Sequence, residues 1–277
     1  MDATLKQKGP IVSSFPPMMI IRCRSRRVNR ADWSLTDRQE RIPWWNQTKI
    51  QAADVLLVGC GGLGSNQAKI FVQMGFREVA GVEPDRVEDS NRNRQLFTAE
   101  DVGLPKAHRL MRNIAPYAVY RTVLRSYFMT FQEWAQLRNR RRYSVIACGV
   151  DCLPTMLAVS EYGWTHKTPV IYINVSRDGE ACRLFIQRCG ADDPCFACYQ
   201  PGALDHKARR DQPCVPSPAI GDILHVAIGL GARAAVGEIL GVPISDDYNC
   251  RDITFGGFDI KKRILKRAGC PLCGGAQ

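Results

Sequence analysis

The chain of 277 residues lacks any uninterrupted apolar stretch long enough to cross a bilayer. Its best candidate, Ser217 to Leu240, is broken by Asp222, His225, Arg233 and Glu238. A secretory leader is also missing: Pro16 and Pro17 interrupt the short apolar run, and Arg22 to Arg27 follow it. These absences set the expectation of a cytoplasmic protein with no membrane partner. Histidine is scarce, with 4 residues. His108, His166, His206 and His225 are scattered, with no serine or carboxylate at a spacing that suggests a triad. No internal repeat and no low-complexity segment is present. Acidic residues are fewer than basic ones, 27 against 38, for a net charge of +11. That excess suits an acidic partner, whether nucleic acid, nucleotide phosphate or protein, and does not choose among them.

What is present is ordinary for a folded domain, with 45% hydrophobic and 23% charged residues. The length accommodates one large α/β domain or two small ones. Twelve cysteines would suit a disulfide scaffold in a short secreted chain. In a cytoplasmic chain of this length they bind metal, catalyse or sit in the core.

Residues 1–34 read as a basic arm carrying one strand at Met18–Ile21, and residues 35–277 as a single folded domain. Thr36 to Ile50 can hold a helix broken near Pro43. Short apolar runs then alternate with helical stretches. Strands are expected at Asp54–Val58, Glu78–Val82, Val119–Leu124, Ser144–Ala147, Val170–Ile173 and Ala181–Ile186, and two more at Arg251–Phe255 and Asp259–Leu265. Helices are expected up to Met74, from Pro105 to Ile114, from Leu153, and from Ile220 to Leu240, the last rich in small residues that permit close packing. This rhythm predicts an α/β fold, a Rossmann-like, doubly wound, mostly parallel sheet with helices on both faces. Residues 188–216 read as a long functional or metal-pinned loop.

Gly59-Cys-Gly61-Gly62-Leu-Gly64 lies between a strand and a helix, where a phosphate-cradling turn belongs. Glu83 ends the next strand, 19 residues after Gly64, at the distance expected for a ribose-binding carboxylate. Alone, these features suit a nicotinamide enzyme. Ser90-Asn-Arg-Asn-Arg-Gln95 and Gly103-Leu-Pro-Lys106 do not, because Arg and Lys converging on one pocket neutralise a triphosphate. Asp151 follows the fourth strand, where open sheets bind ligands. A carboxylate there can hold Mg²⁺ beside phosphates, cap a helix, or both.

Together, Asp37-Arg-Gln-Glu-Arg-Ile42, the glycine turn, Glu83-x-Asp85, the Ser90–Gln95 block, Pro105-Lys106, Asp151 and a paired CxxC resemble the ThiF/MoeB/ubiquitin-activating superfamily, from about Thr36 to Cys273. The resemblance implies an enzyme that binds ATP and adenylates the C-terminal glycine carboxylate of a small ubiquitin-like or sulfur-carrier protein. It assigns Gly59, Gly61, Gly62 and Gly64 to the nucleotide turn, and Glu83, with Asp85, to nucleotide binding. Asn91, Arg94, Gln95 and Lys106 become the phosphate set, and Asp151 the residue associated with Mg²⁺. Arg38 matches an arginine that a homodimer lends to its partner's site. Glu83 stands where the family usually has Asp. Cys148 and Cys152 depart from the residues usual around the metal-associated aspartate.

Cys195-Phe-Ala-Cys198 and Cys270-Pro-Leu-Cys273 supply four thiolates, enough for one closed, structural Zn²⁺ site that ties the long loop to the C-terminus. Disulfides are the alternative. Cys60, Cys148 and Cys152 border the nucleotide turn and read as core residues. Cys214 precedes Pro216-Ser-Pro218, near where relatives place a cysteine that carries the client. A nucleophile and an idle thiol both remain open there. Three functions follow: activation for conjugation through a thioester on Cys214, with a conjugating enzyme as partner; activation of a sulfur carrier to its thiocarboxylate; and adenylation of a carboxylate on tRNA. Because the sequence stops at Gln277, a sulfur donor is expected to be a separate protein. The zinc pairs count against nucleic acid as the partner.

Overall fold

The computed structural model describes residues 15–23, 35–204 and 218–274. The strands, in chain order, are β1 (Met18–Arg22), β2 (Asp54–Val58), β3 (Glu78–Val82), β4 (Val123–Tyr127), β5 (Val145–Cys148), β6 (Val170–Val175), β7 (Ala181–Gln187), β8 (Cys250–Thr254) and β9 (Asp259–Lys262). The helices are α1 (Asp37–Glu40), α2 (Gln47–Ala52), α3 (Gly62–Met74), α4 (Lys106–Ile114), α5 (Phe131–Ala135), α6 (Leu153–His166), α7 (Phe196–Tyr199) and α8 (Gly221–Leu240).

Every residue of β2 and β3 is buried, as strands covered on both faces require. The strands form one nine-stranded sheet in the order β1-β4-β3-β2-β5-β6-β7-β8-β9. The run β4-β3-β2-β5-β6 is parallel. β1 closes one edge antiparallel, and β7, β8 and β9 extend the other edge antiparallel. The expected doubly wound sheet is therefore present, with an antiparallel extension. The chain builds outward from β2 in one direction and returns to build from β5 in the other. The carboxyl ends of β2 and β5 thus flank a topological switch point, where open sheets bind ligands.

Two cores lie on opposite faces of the sheet. One includes Ile50, Phe71, Phe76, Leu110, Ile114 and Ile228, under α2, α3, α4 and α8. The other includes Leu56, Trp134, Tyr172 and Phe196, under α5, α6 and α7. α8 is long and apolar enough to span a bilayer by length and composition, with mean hydropathy 1.6, but 61% of that window is buried within the protein. Its small residues Ala227, Ala232, Ala234 and Ala235 are all inside. At the amino ends of β2 and β3, buried Asp54 and Glu78 are ion-paired with Arg77 at 2.6 Å and Arg125 at 3.0 Å, and Arg141 reaches both.

Several elements differ from the sequence reading, among them α7, a short helix within the stretch 188–216 expected to be loop, of which 205–216 lie outside the described residues. β4 starts at Val123 rather than Val119, because a 3-10 turn at Ala115–Tyr117 and a Thr122 N–H bond to the Tyr120 carbonyl consume the residues between. The Thr122 hydroxyl also donates to the Phe76 carbonyl at 2.8 Å. β9 ends at Lys262, since Asn249 takes both backbone groups of Ile264. α5 is new; its signal is the Thr130-x-x-Glu133 capping box, with fully buried Trp134 behind it.

Candidate functional site

The glycine turn fits between β2 and α3 only because two positions lack a side chain. Gly59 has φ +92°, and a Cβ on Gly64 would lie 1.9 Å from the Gly59 carbonyl oxygen. Gly61 is the N-cap of α3 and brings no capping side chain. The first-turn amides of this 13-residue helix therefore face the switch point, the arrangement that favours anionic oxygen. Across the crevice, Gly149 after β5 donates its N–H to the Val58 carbonyl at 3.1 Å. Asp151 stands two residues further on, exposed, in the loop that opens α6.

Glu83, at the end of β3, is buried and bound to the turn itself. One carboxylate oxygen accepts from the Cys60 amide at 2.9 Å, and the other from the Asp85 amide at 3.2 Å. Burial pushes its pKa up and the charge of Asp85 adds to this, while the two amides and Lys106 oppose it. Each oxygen keeps a lone pair for a ribose hydroxyl. Lys106 is the first residue of α4, one position later than the expected start at Pro105, which is the N-cap. Its ammonium lies 3.1 Å from the Asp85 carboxylate.

The Ser90–Gln95 block packs over the turn. Arg94 donates to the Ser90 carbonyl and to the Asn93 side chain, both at 2.8 Å, and its Cδ approaches Gly62. Asn91 is buried and accepts from the Glu88 amide at 3.0 Å. Gln95 is 8% exposed, its amide beside Gly61, and its Oε1 is a buried acceptor with no partner among the described residues. A buried orphan acceptor at such a turn suits a ligand that donates to it. The sequence reading missed Asn66 and Ser65. Asn66 donates to the carbonyls of Gly62 (3.1 Å) and Arg94 (3.0 Å), and Ser65 accepts from the Leu96 amide. Their signal was two polar residues following the last glycine of the turn.

The structure thus brings together the turn, Glu83, Asp85, Asn91, Arg94, Gln95, Lys106 and the Asp151 loop. This set of amides, cations and carboxylates fits a nucleotide triphosphate with Mg²⁺. Arg38 is not part of it. α1 packs at the opposite end of α3, where Gln39 donates to the Met74 carbonyl at 3.0 Å. That end is roughly 20 Å from the turn, at about 1.5 Å per helical residue. Cys214 lies outside the described residues. Cys60 and Cys148 are buried as expected, and burial holds both thiols up, Cys148 to about 12. Cys152, expected in the core, is instead only half-buried, as the N-cap of α6.

The four CxxC cysteines form one buried cluster, with their sulfur atoms all within 4.8 Å of one another. Cys195 and Cys270 are 3.6 Å apart, Cys198 and Cys273 3.4 Å, and Cys195 and Cys198 3.9 Å. These are free thiols, not disulfides. A zinc ion with sulfur at about 2.3 Å in tetrahedral geometry requires sulfur separations near 3.8 Å, so the cluster fits Zn²⁺. Burial raises Cys195, and it raises Cys273 to about 11. Burial also works to raise Cys270, but the amides of Cys273 and Leu272 and the neighbouring thiols outweigh it and hold Cys270 at about 6. A buried network fixes the first knuckle. The Phe196 amide donates to Gln187 at 3.0 Å, and Gln187 exchanges hydrogen bonds with Ser160 of α6.

The ThiF family model matches residues 31–268. The sulfur carrier protein adenylyltransferase of Thermus thermophilus is 28% identical over 238 residues, covering 82% of this chain and 84% of the relative. The adenylyltransferase and sulfurtransferase MOCS3 of Mus musculus is 27% identical over 241 residues, covering 82% of this chain but 49% of the relative, so the chain spans about half of that protein. A solved structure of E. coli MccB with ATP superposes with a TM-score of 0.72 at 20% identity, covering 89% of this chain and 75% of that one. With the match running through the switch-point site and most of the cysteine-bearing half, the chain belongs to the ThiF family.

Proposed function

We propose that this chain is an ATP-dependent adenylyltransferase acting on the C-terminal glycine carboxylate of a small sulfur-carrier or ubiquitin-like protein. The observation that carries the reading is the continuous contact from the glycine turn through Glu83 and Asp85 to Lys106, beside the orphan acceptor of Gln95. Of the two client classes, the sulfur carrier has the stronger support, because the Thermus relative, matched over 84% of its own length, is named for that activity. Conjugation through a thioester, the first expectation from sequence, is the second reading, and the nucleophile proposed for it is Cys214.

The chemistry follows from the groups present. The client carboxylate is ionised at neutral pH and needs no base. It attacks the α-phosphorus of ATP in line, forming an acyl adenylate as pyrophosphate leaves. Glu83 holds the ribose, and the α3 amides, with Asn91 and Gln95, orient the phosphates. Lys106 and Arg94 stabilise their charge. Asp151 would hold Mg²⁺, which would supply positive charge beside the phosphates. A sulfur nucleophile then displaces AMP from the adenylate: sulfide-level sulfur from a donor gives the thiocarboxylate in the sulfur-carrier reading, and the Cys214 thiol gives the thioester, for passage to a conjugating enzyme, in the second reading.

The reading includes a homodimer, because Arg38 is out of reach of its own chain's turn. Residues 54–150 form the nucleotide half and 151–277 the client and zinc half. A cytoplasmic setting suits a site of four reduced thiols. The test is ATP–pyrophosphate exchange that depends on the client. Asp151→Ala should abolish it, and Lys106→Ala should lower it roughly 10²- to 10⁴-fold. Exchange at full rate in Asp151→Ala would refute the mechanism.

A further inference from the structure

Asp85 is placed differently from the nucleotide ligand that the motif suggests. Its side chain is 64% exposed, whereas that of Lys106 is 10% exposed. Asp85 makes three contacts, each to a group that the adenylating reading assigns to the nucleotide. Its carboxylate meets the Lys106 ammonium at 3.1 Å, its carbonyl accepts from the Lys106 amide at 2.9 Å, and its amide donates to Glu83 at 3.2 Å. Neighbouring backbone bonds lock the pair in place. The Val87 amide donates to the Leu104 carbonyl, and the Gly103 amide donates to the Val87 carbonyl, both at 2.8 Å. Arg86 and Pro105 form a bridge between the same two segments.

A carboxylate in this position repels a triphosphate, so it gains nothing as a phosphate ligand. It can, however, hold a buried ammonium in one geometry while no phosphate is present. We propose that Asp85 is a positioning residue: it anchors Lys106 facing the phosphates in the empty site and competes with ATP for the ammonium. This inference rests on the adenylating reading. Its signature is a change of sign. Removing the charge of a ligand weakens nucleotide binding, whereas removing the charge of a competitor tightens it. Catalysis moves the other way, because an ammonium released from its anchor samples more rotamers and is less often aimed at the reacting phosphate.

The test is equilibrium binding of ATP to the full chain by calorimetry, with Mg²⁺ and with EDTA, alongside exchange kinetics. Asp85→Asn should tighten ATP roughly two- to fivefold in both conditions, the scale of an exposed ion pair, with the gain shrinking as salt rises. Its exchange kcat should fall while the KM for ATP falls as well. Asp85→Glu, which restores the charge, should return affinity toward wild type, and the gain from Asp85→Asn should vanish in a Lys106→Met background. Weaker binding in Asp85→Asn only when Mg²⁺ is present would make Asp85 a metal ligand. Weaker binding in EDTA as well would make it a nucleotide ligand. Either result, or unchanged affinity, overturns the inference and leaves the adenylating reading intact. Wild-type protein that binds no ATP at all would sink that reading itself.

Discussion

Removing metal from the cysteine cluster should cost thermal stability and leave nucleotide affinity in place. The cluster joins Cys195 to Cys270 and Cys198 to Cys273, each pair 75 positions apart. Treated as a cross-link, closing a loop of that length restricts the unfolded chain by about 4–5 kcal/mol. At roughly 2 °C per kcal/mol for a chain of this size, the melting temperature should fall by about 10 °C. The nucleotide turn and its partners lie on β2, β3, α3 and α4, and make none of their described hydrogen bonds to the cluster. The experiment pairs thermal unfolding followed by near-ultraviolet circular dichroism with metal analysis of the same sample, before and after chelation. ATP binding is then measured at 25 °C. Cys273→Ser should reproduce the loss. Acid should release a bound metal too, because protons compete for the thiolates that would hold it, and burial raises the Cys195 and Cys273 thiols. A protein stripped of zinc that melts unchanged would refute the clamp. Loss of ATP binding well below the melting transition would refute the separation of the two sites.

Three further outcomes follow from the site. Glu83 has a raised pKa, so it takes up its proton at a higher pH than an ordinary glutamate, and ATP affinity should fall on acidification from that higher pH. Its effect on stability has the opposite sense: a raised carboxyl stabilises the fold at low pH, and that contribution is lost as pH rises through the folded value, which denaturation across pH 4–8 in Glu83→Gln and wild type would compare. Gly64→Ala should destabilise by about 3 kcal/mol, the upper end for overpacking, because its methyl group would collide with the Gly59 carbonyl; a urea midpoint equal to wild type would contradict this. Asn66→Ala should cost roughly 0.5–1.5 kcal/mol for each of its two hydrogen bonds and weaken ATP by loosening the Arg94 segment, an effect that calorimetry would detect.

The parts of the fold that were legible in sequence are those fixed by local chemistry. Asp54–Val58 and Glu78–Val82 coincide with their expected strands, because an apolar run of that length, bounded by polar residues, has one way to be buried on both faces. The glycine turn and the two CxxC pairs were legible because each needs fixed residues at fixed spacing. What escaped depends on contacts between distant segments. The start of β4 is set by its register against Glu78, which the residues around Val119 do not reveal. The antiparallel direction of β7 to β9 is a property of pairing rather than of composition. Arg38 reads in sequence as a residue lent to a partner's site, and the docking of its helix at the far end of α3 in its own chain is a contact the sequence does not reveal. Asp85 carries a motif's label, but its ammonium partner is 21 positions away.

The turn's own hydrogen bonds bear on how the site comes into being. The Gly59 amide is held by Val82, the Cys60 amide by Glu83, and Gly149 by Val58. Each bond joins strands that are adjacent in the sheet and distant along the chain, so the turn acquires its shape only after β3 and β5 have docked on β2. Amide protons at these positions should exchange with solvent only through opening of the whole parallel sheet, among the slowest in the molecule. ATP bound there would resist that same opening and so protect the entire core by mass action. A peptide covering residues 54–74 would keep the glycine motif and have no site.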